Sequence, residues 1–156
     1  MTASAAEPSR TPIPLGFSVS VAGIVVADDS VLLTQRANNG AWEPPGGILE
    51  RGETFIEGVR REVLEETGIL VEPHLFTGCY LNMSAHVVAL VFRCTALTGQ
   101  PRTSAETRDV RWVRVEEAAS WMSPAFSVRV EDAIGSRGET MVRYHDGTNL
   151  IGPPLH

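Results

Sequence analysis

A helix marked at both ends, with three acids on one side, constrains this chain more than any other feature of its sequence. Thr54-Phe55-Ile56-Glu57 has the spacing of a capping box, and Gly68 is a natural C-terminal stop. At 100° per residue, Glu62, Glu65 and Glu66 fall at i, i+3 and i+4 and share an arc of about 100°. Gly58 lies one turn below on the same face, which predicts open space beneath the acids. Ile56, Val59 and Val63 form an adjoining apolar stripe suited to packing on a sheet. One edge of the helix is therefore anchored while its neighbour is held at a cavity wall.

Three carboxylates this close repel. At about 6 Å and an effective dielectric of about 20, each pair costs roughly 3 kcal/mol. Arg61 can offset part of that, either through an i,i+4 pair with Glu65 or by reaching back to Glu53. One guanidinium cannot neutralise the whole set. A hard divalent cation can, and oxygen ligands of this kind suit Mg²⁺ or Mn²⁺. Gly46 and Gly47, after Pro44-Pro45, supply a tight turn where a carbonyl could also face the ion. On the acids alone the ordinary reading is a solvated helix face, with Glu57 to Arg61 a surface pair.

The rest of the chain surrounds that helix with strands. Phe17 to Ala27 and Val31 to Arg36 read as a strand pair around Asp28-Asp29-Ser30, and a loop follows from Asn38 through Gly47. Leu75 to Asn82 and Ala85 to Thr95 pair next, and Val110 to Val115 alternates as another strand. Glu116 to Trp121 is a short helix, and Ser123-Pro124 opens a second main helix to about Ile134. Met141 to Tyr144 and Thr148 to Ile151 flank an Asp146-Gly147 hairpin turn. Within these elements, Trp121 and Phe126 read as core, as does His86 in the middle of an apolar strand. The order predicts an α+β fold, a mixed central sheet between helices. Residues 1–15, rich in Ala, Ser, Thr and Pro, read as a flexible N-terminal arm, and residues 16–156 as a single domain.

Composition narrows the function classes. The longest apolar run, Val87 to Phe92, is far too short to cross a bilayer, and no basic-then-apolar leader opens the chain. A cytoplasmic location is expected. A net charge of −6 argues against general nucleic-acid binding. Cys79 and Cys94 have no zinc spacing and read as buried free thiols. The arm and exposed strand edges would allow a homodimer.

The full string from Gly47 to Ile69 decides between a solvated face and a site. It satisfies every position of G-x5-E-x7-R-E-U-x-E-E-x-G-U, with Val63 and Ile69 at the bulky aliphatic places. The chance of such a match in a chain this size is on the order of one in ten million. The string resembles the box of the Nudix (MutT-like) hydrolases. Trp42, Pro45, Gly46 and Gly47 ahead of it, and Arg111-Trp112-Val113 after it, extend the likeness.

The resemblance implies the Nudix α/β/α sandwich and hydrolysis of a nucleoside diphosphate linked to another moiety. It implies Glu62, Glu65 and Glu66 as ligands of Mg²⁺ (Mn²⁺ substituting), helped by the Gly46 or Gly47 carbonyl. Arg61 would pair with Glu53 at the loop-helix junction. Two acids are candidates for activating the water, Glu62 and, in the loop before the next strand, Glu106. Arg36, at a strand end, could reach a phosphate, and Trp42 could stack on a base. No proline lies between Pro73 and Pro101, and Ala85 and His86 occupy a window that marks some subclasses. By elimination this favours a nucleoside triphosphate, including an oxidised one. A non-catalytic nucleotide- or sugar-sensing module on the same fold is the alternative; such relatives commonly lose box acids, and this chain keeps them all. A calcium-binding structural protein is the third reading, disfavoured because the acids sit on a helix and not in a looped ligand set.

Overall fold

The computed structural model describes residues 16–155 apart from Ser136; the arm expected over residues 1–15 lies outside the described residues. Among the described residues, nine strands and three helices run in the order β1 (Ser18–Ala27), β2 (Ser30–Arg36), β3 (Trp42–Glu43), β4 (Gly46–Ile48), α1 (Phe55–Thr67), β5 (Ile69–Asn82), β6 (Val87–Gly99), β7 (Thr107–Arg114), α2 (Val115–Trp121), α3 (Pro124–Gly135), β8 (Met141–His145) and β9 (Leu150–Leu155). They build one mixed sheet in the order β3-β2-β1-β6-β5-β8-β9, with β4 added to β1 and β7 to β2. β1 runs parallel to β6 and β5 parallel to β8, and the remaining pairs are antiparallel.

Helices cover both faces of this sheet, so its central strands are apolar on both sides. In β1, Val21 and Val25 face one core with Val59 and Val63 of α1, while Ala22 and Ile24 face the other. That second core is closed by Ala118 of α2 and by Val128, Val130 and Ala133 of α3. The period of two assigns alternate side chains to the two layers, and the result is an α/β/α sandwich.

The signals at the ends of α1 act as read. Thr54 Oγ1 accepts the Glu57 N–H at 3.2 Å, Glu57 Oε2 accepts the Thr54 N–H at 2.7 Å, and Gly68 ends the helix at φ 76°. Glu57 is therefore a cap, not the surface partner of Arg61.

Several expectations are corrected. β5 begins at Ile69, directly after the helix, because Gly68 reverses the chain straight into the sheet. The loop ahead of the box contains two short strands, β3 and β4. His86 is not core: it is exposed in the β5–β6 turn at φ 55°, edge-on to Phe17 at 5.5 Å. Trp121 is 38% exposed, and Phe126 is only partly buried, on a cleft wall. Cys94 is buried, whereas Cys79 is only half-buried; both are free. No helix among the described residues is long and apolar enough to cross a membrane.

Candidate active site

The strand pairing brings the Gly-Gly turn onto the acidic face of α1. β4 lies against β1, with Gly47 opposite Val21 and Gly46 opposite Ala22, and α1 packs on the same strand. Glu62 and Glu66, one turn apart, are 8% and 9% exposed. The Gly46 N–H donates to Glu66 Oε1 at 3.0 Å. A methyl group at Gly47 would lie 2.5 Å from the carboxyl carbon of Glu62, so that carboxylate rests against bare backbone. Glu65 is different: it sits at the exposed rim, 3.4 Å from Arg61.

Behind the acids, Arg61 ties the loop to the helix. Its Nε and Nη2 donate to the two oxygens of Glu53 at 2.9 and 2.6 Å, Nη1 donates to Glu62 Oε1 at 2.7 Å, and Nη2 also reaches the Ile48 carbonyl. The Glu50 N–H donates to Glu53 at 2.7 Å. With these donors the Glu53 carboxyl is held down at about 2, chiefly by Arg61 and then by Glu50. The space expected under the acids at Gly58 is filled: a methyl there would lie 2.8 Å from Leu49 and 3.1 Å from Val21. Gly58 permits close packing; it does not open a hollow.

These residues line a cleft of about 820 Å³. Arg36, Gly46, Gly47, Arg61, Glu62, Glu65, Glu66 and Glu106 are all on its wall, with Glu106 facing in from the loop before β7. Glu53 stands one step behind, through Arg61. Arg36 is already paired, at 2.8 Å, with Glu43. Trp42 lies outside the cleft, on an adjoining hollow of about 440 Å³, packed edge-on against Trp121 at 4.8 Å. Glu43, Asn82, Phe126 and Arg129 are cleft residues that sequence spacing did not single out. They come from strands and a helix far apart in the chain, with no local pattern among them.

The wall carries six glutamates against three arginines. Burial pushes the Glu66 carboxyl up to about 8, with Glu62 and Glu43 adding repulsion. Among the described residues no three acidic, histidine or cysteine side chains converge as a ready-made cation cage. Glu62 and Glu66 instead lean on Arg61 and on the Gly46 amide. The available donors are carboxylate and carbonyl oxygens, the chemistry of a hard divalent cation, and the set fits one.

A mixed sheet clasped by helices, with buried acids beside a Gly-Gly turn, is the Nudix class of fold. The NUDIX domain pattern matches residues 16–132, and the chain belongs to that family and is a hydrolase of it. It is 47% identical over 146 residues to a MutT-like protein of Streptomyces ambofaciens, covering 93% of this chain and 94% of that one. An ADP-ribose pyrophosphatase of Methanocaldococcus jannaschii is 32% identical over 102 residues, 61% of this chain and 60% of its own length. In structure, a Nudix hydrolase from Nitrosomonas europaea superposes with a TM-score of 0.76 over 88% of this chain and 83% of that one, at 23% identity.

Proposed function

We propose that this protein is a pyrophosphohydrolase that cleaves the diphosphate linkage of a nucleotide-type substrate, with Mg²⁺ (or Mn²⁺) held by Glu62, Glu65, Glu66 and the Gly47 carbonyl. The observation that carries this is the charge of the cleft. A wall of six glutamates and three arginines repels a diphosphate unless cations lie between them. Nudix hydrolases use divalent metals, and a bound ion of this kind screens the phosphates and lowers the pKa of a coordinated water. The named substrate of the archaeal relative, ADP-ribose, and the MutT likeness both support a nucleotide diphosphate class.

The chain's own residues divide the work. Arg61, clamped to Glu53, keeps the β4–α1 turn and the Glu62 carboxylate in place. Arg36, at the cleft mouth, orients a phosphate oxygen. Glu106 accepts the proton of the attacking water. Its carboxylate is exposed on the cleft wall, whereas Glu62 already accepts from Arg61 at 2.7 Å and is committed to the cation side. A general base needs a free lone pair directed at the water.

The test is a panel of nucleoside triphosphates, diphosphates and ADP-ribose with Mg²⁺, scored for released phosphate or pyrophosphate and, for ADP-ribose, for AMP and ribose 5-phosphate. Turnover in the parent, and its loss in Glu66→Gln, is the expected result. Equal turnover by the two proteins removes the metal-site assignment.

A further inference from the structure

Arg129 of α3 is only 7% exposed, yet it forms part of the cleft wall. Among the described residues it has no salt-bridge partner. The guanidinium lies over two rings, 4.6 Å from the centre of Phe126 and 5.2 Å from that of Tyr80. Its Nε has no hydrogen-bond partner. The buried acid one turn along, Asp132, is already taken: Arg143 donates to both its oxygens at 2.7 Å, and the Tyr80 hydroxyl donates at 2.7 Å.

One polar atom does face Arg129, His145 Nε2 at 3.4 Å from Nη2. It cannot accept. His145 Nδ1 receives the Gly147 N–H at 3.0 Å, so the neutral ring carries its proton on Nε2. The ring is neutral at pH 7 because burial, with Arg129 alongside, pushes the imidazole down to about 4. The contact sets donor against donor. A buried guanidinium without an acid partner is costly, and an acceptor brought by a ligand in the cleft offsets that cost.

The surroundings decide what kind of acceptor fits. Phe126 stacks on the guanidinium, and Val87 and Ala89 add apolar surface to the same cleft beside Asn82. A phosphate calls for several converging donors or cations, and among the described residues no second guanidinium lies over the rings of Tyr80 and Phe126. A flat heteroaromatic group with two adjacent acceptors matches one planar fork on an apolar wall. We propose that Arg129 is a specificity-determining residue that reads the O6/N7 edge of a guanine base, a proposal that rests on reading the cleft as a nucleotide site. Adenine presents a donor beside N7 and is disfavoured. Guanine oxidised at C8 carries a hydrogen on N7 and loses one of the two acceptors, so it is disfavoured as well.

Uncharged nucleosides test this without a diphosphate, a metal or turnover. Guanosine, adenosine and 7-deazaguanosine are titrated by NMR into the parent chain, Arg129→Lys and Arg129→Met, with thermal melts to check folding. The parent is expected to prefer guanosine over the other two by about 5- to 150-fold, the range of one bidentate contact. Both variants are expected to lose that preference, lysine included, because it keeps the charge but not the fork. Equal affinities in the parent, a preference that survives in either variant, or a uniform loss of all three nucleosides overturns the proposal. If Arg129→Met does not fold, the parent's 7-deazaguanosine comparison and Arg129→Lys still decide. A guanosine preference without nucleotide hydrolysis would sink the enzymatic reading alone, and hydrolysis without the preference would sink this one alone.

Discussion

The Glu62 carboxylate occupies the space that a side chain at Gly47 would need, with its carboxyl carbon 2.5 Å from an added methyl and its oxygens 2.6 Å away. The glycine holds the acid's position by leaving room for it. Gly47→Ala is expected to displace a flexible side-chain end and leave the fold standing. A shift of about 1 Å at a catalytic carboxylate can lower the rate on the order of 10²-fold. Steady-state kinetics beside a thermal melt checks this; unchanged kcat would show that the position of Glu62 is not critical.

At Gly46 the same change meets backbone. An added methyl would press on the Val21 carbonyl and lie 2.7 Å from the Ala22 side chain. Gly46→Ala is expected to destabilise the protein by about 1–3 kcal/mol, because β4 must move off β1. Denaturant titration of the two alanine variants side by side should separate a kinetic defect from a folding one.

Glu66 links stability to pH. Its carboxyl titrates near 8 in the metal-free fold against an ordinary 4.5, so the folded state holds the proton more tightly than the unfolded chain. Stability contributed by this group is complete below about pH 4.5 and is lost as pH rises through about 8. If Glu66 is a Mg²⁺ ligand as proposed, the ion binds its ionised form and raises Tm more at pH 8 than at pH 5.5. Melts with and without chelator at the two pH values measure it; an equal Mg²⁺ effect at both would contradict the linkage.

Glu53 acts through Arg61 and the loop. In Glu53→Gln the paired charge disappears and the Glu50 N–H loses its carboxylate acceptor. Faster amide hydrogen exchange at residues 48–53 is expected, together with a fall in kcat as Glu62 loosens. Exchange rates that match the parent's would mean that the clamp does not order the turn.

Glu106 and Glu62 should separate in their metal dependence. Glu106→Gln is expected to lower kcat by about 10²- to 10⁴-fold, the range for a lost general base, with the Mg²⁺ concentration dependence unchanged. Glu62→Gln is expected to weaken Mg²⁺ binding. Full activity in Glu106→Gln would show that Glu106 is not the base.

The box helix was legible in the chain because its information is local. A capping box, a stop glycine and an i, i+3, i+4 set of acids act within a few turns of one backbone, so Thr54, Gly68 and Glu62 to Glu66 could be placed from spacing alone. Strand positions followed from β-branched runs, and a mixed sheet between helices from the order of elements. Tertiary structure decided how those acids differ: two are buried against the Gly-Gly turn and Arg61, while Glu65 is left at the rim. It also moved His86 out to a turn, filled the space at Gly58 with Leu49 and Val21, and set Trp42 against Trp121 outside the cleft. Arg129 shows why. Its meaning depends on Tyr80, Asp132 and His145, contributed by β5, by its own helix and by β8, and on which hydrogen bonds those partners have already made. Burial and donor-acceptor matching are properties of that assembly, and residue spacing along the chain does not carry them.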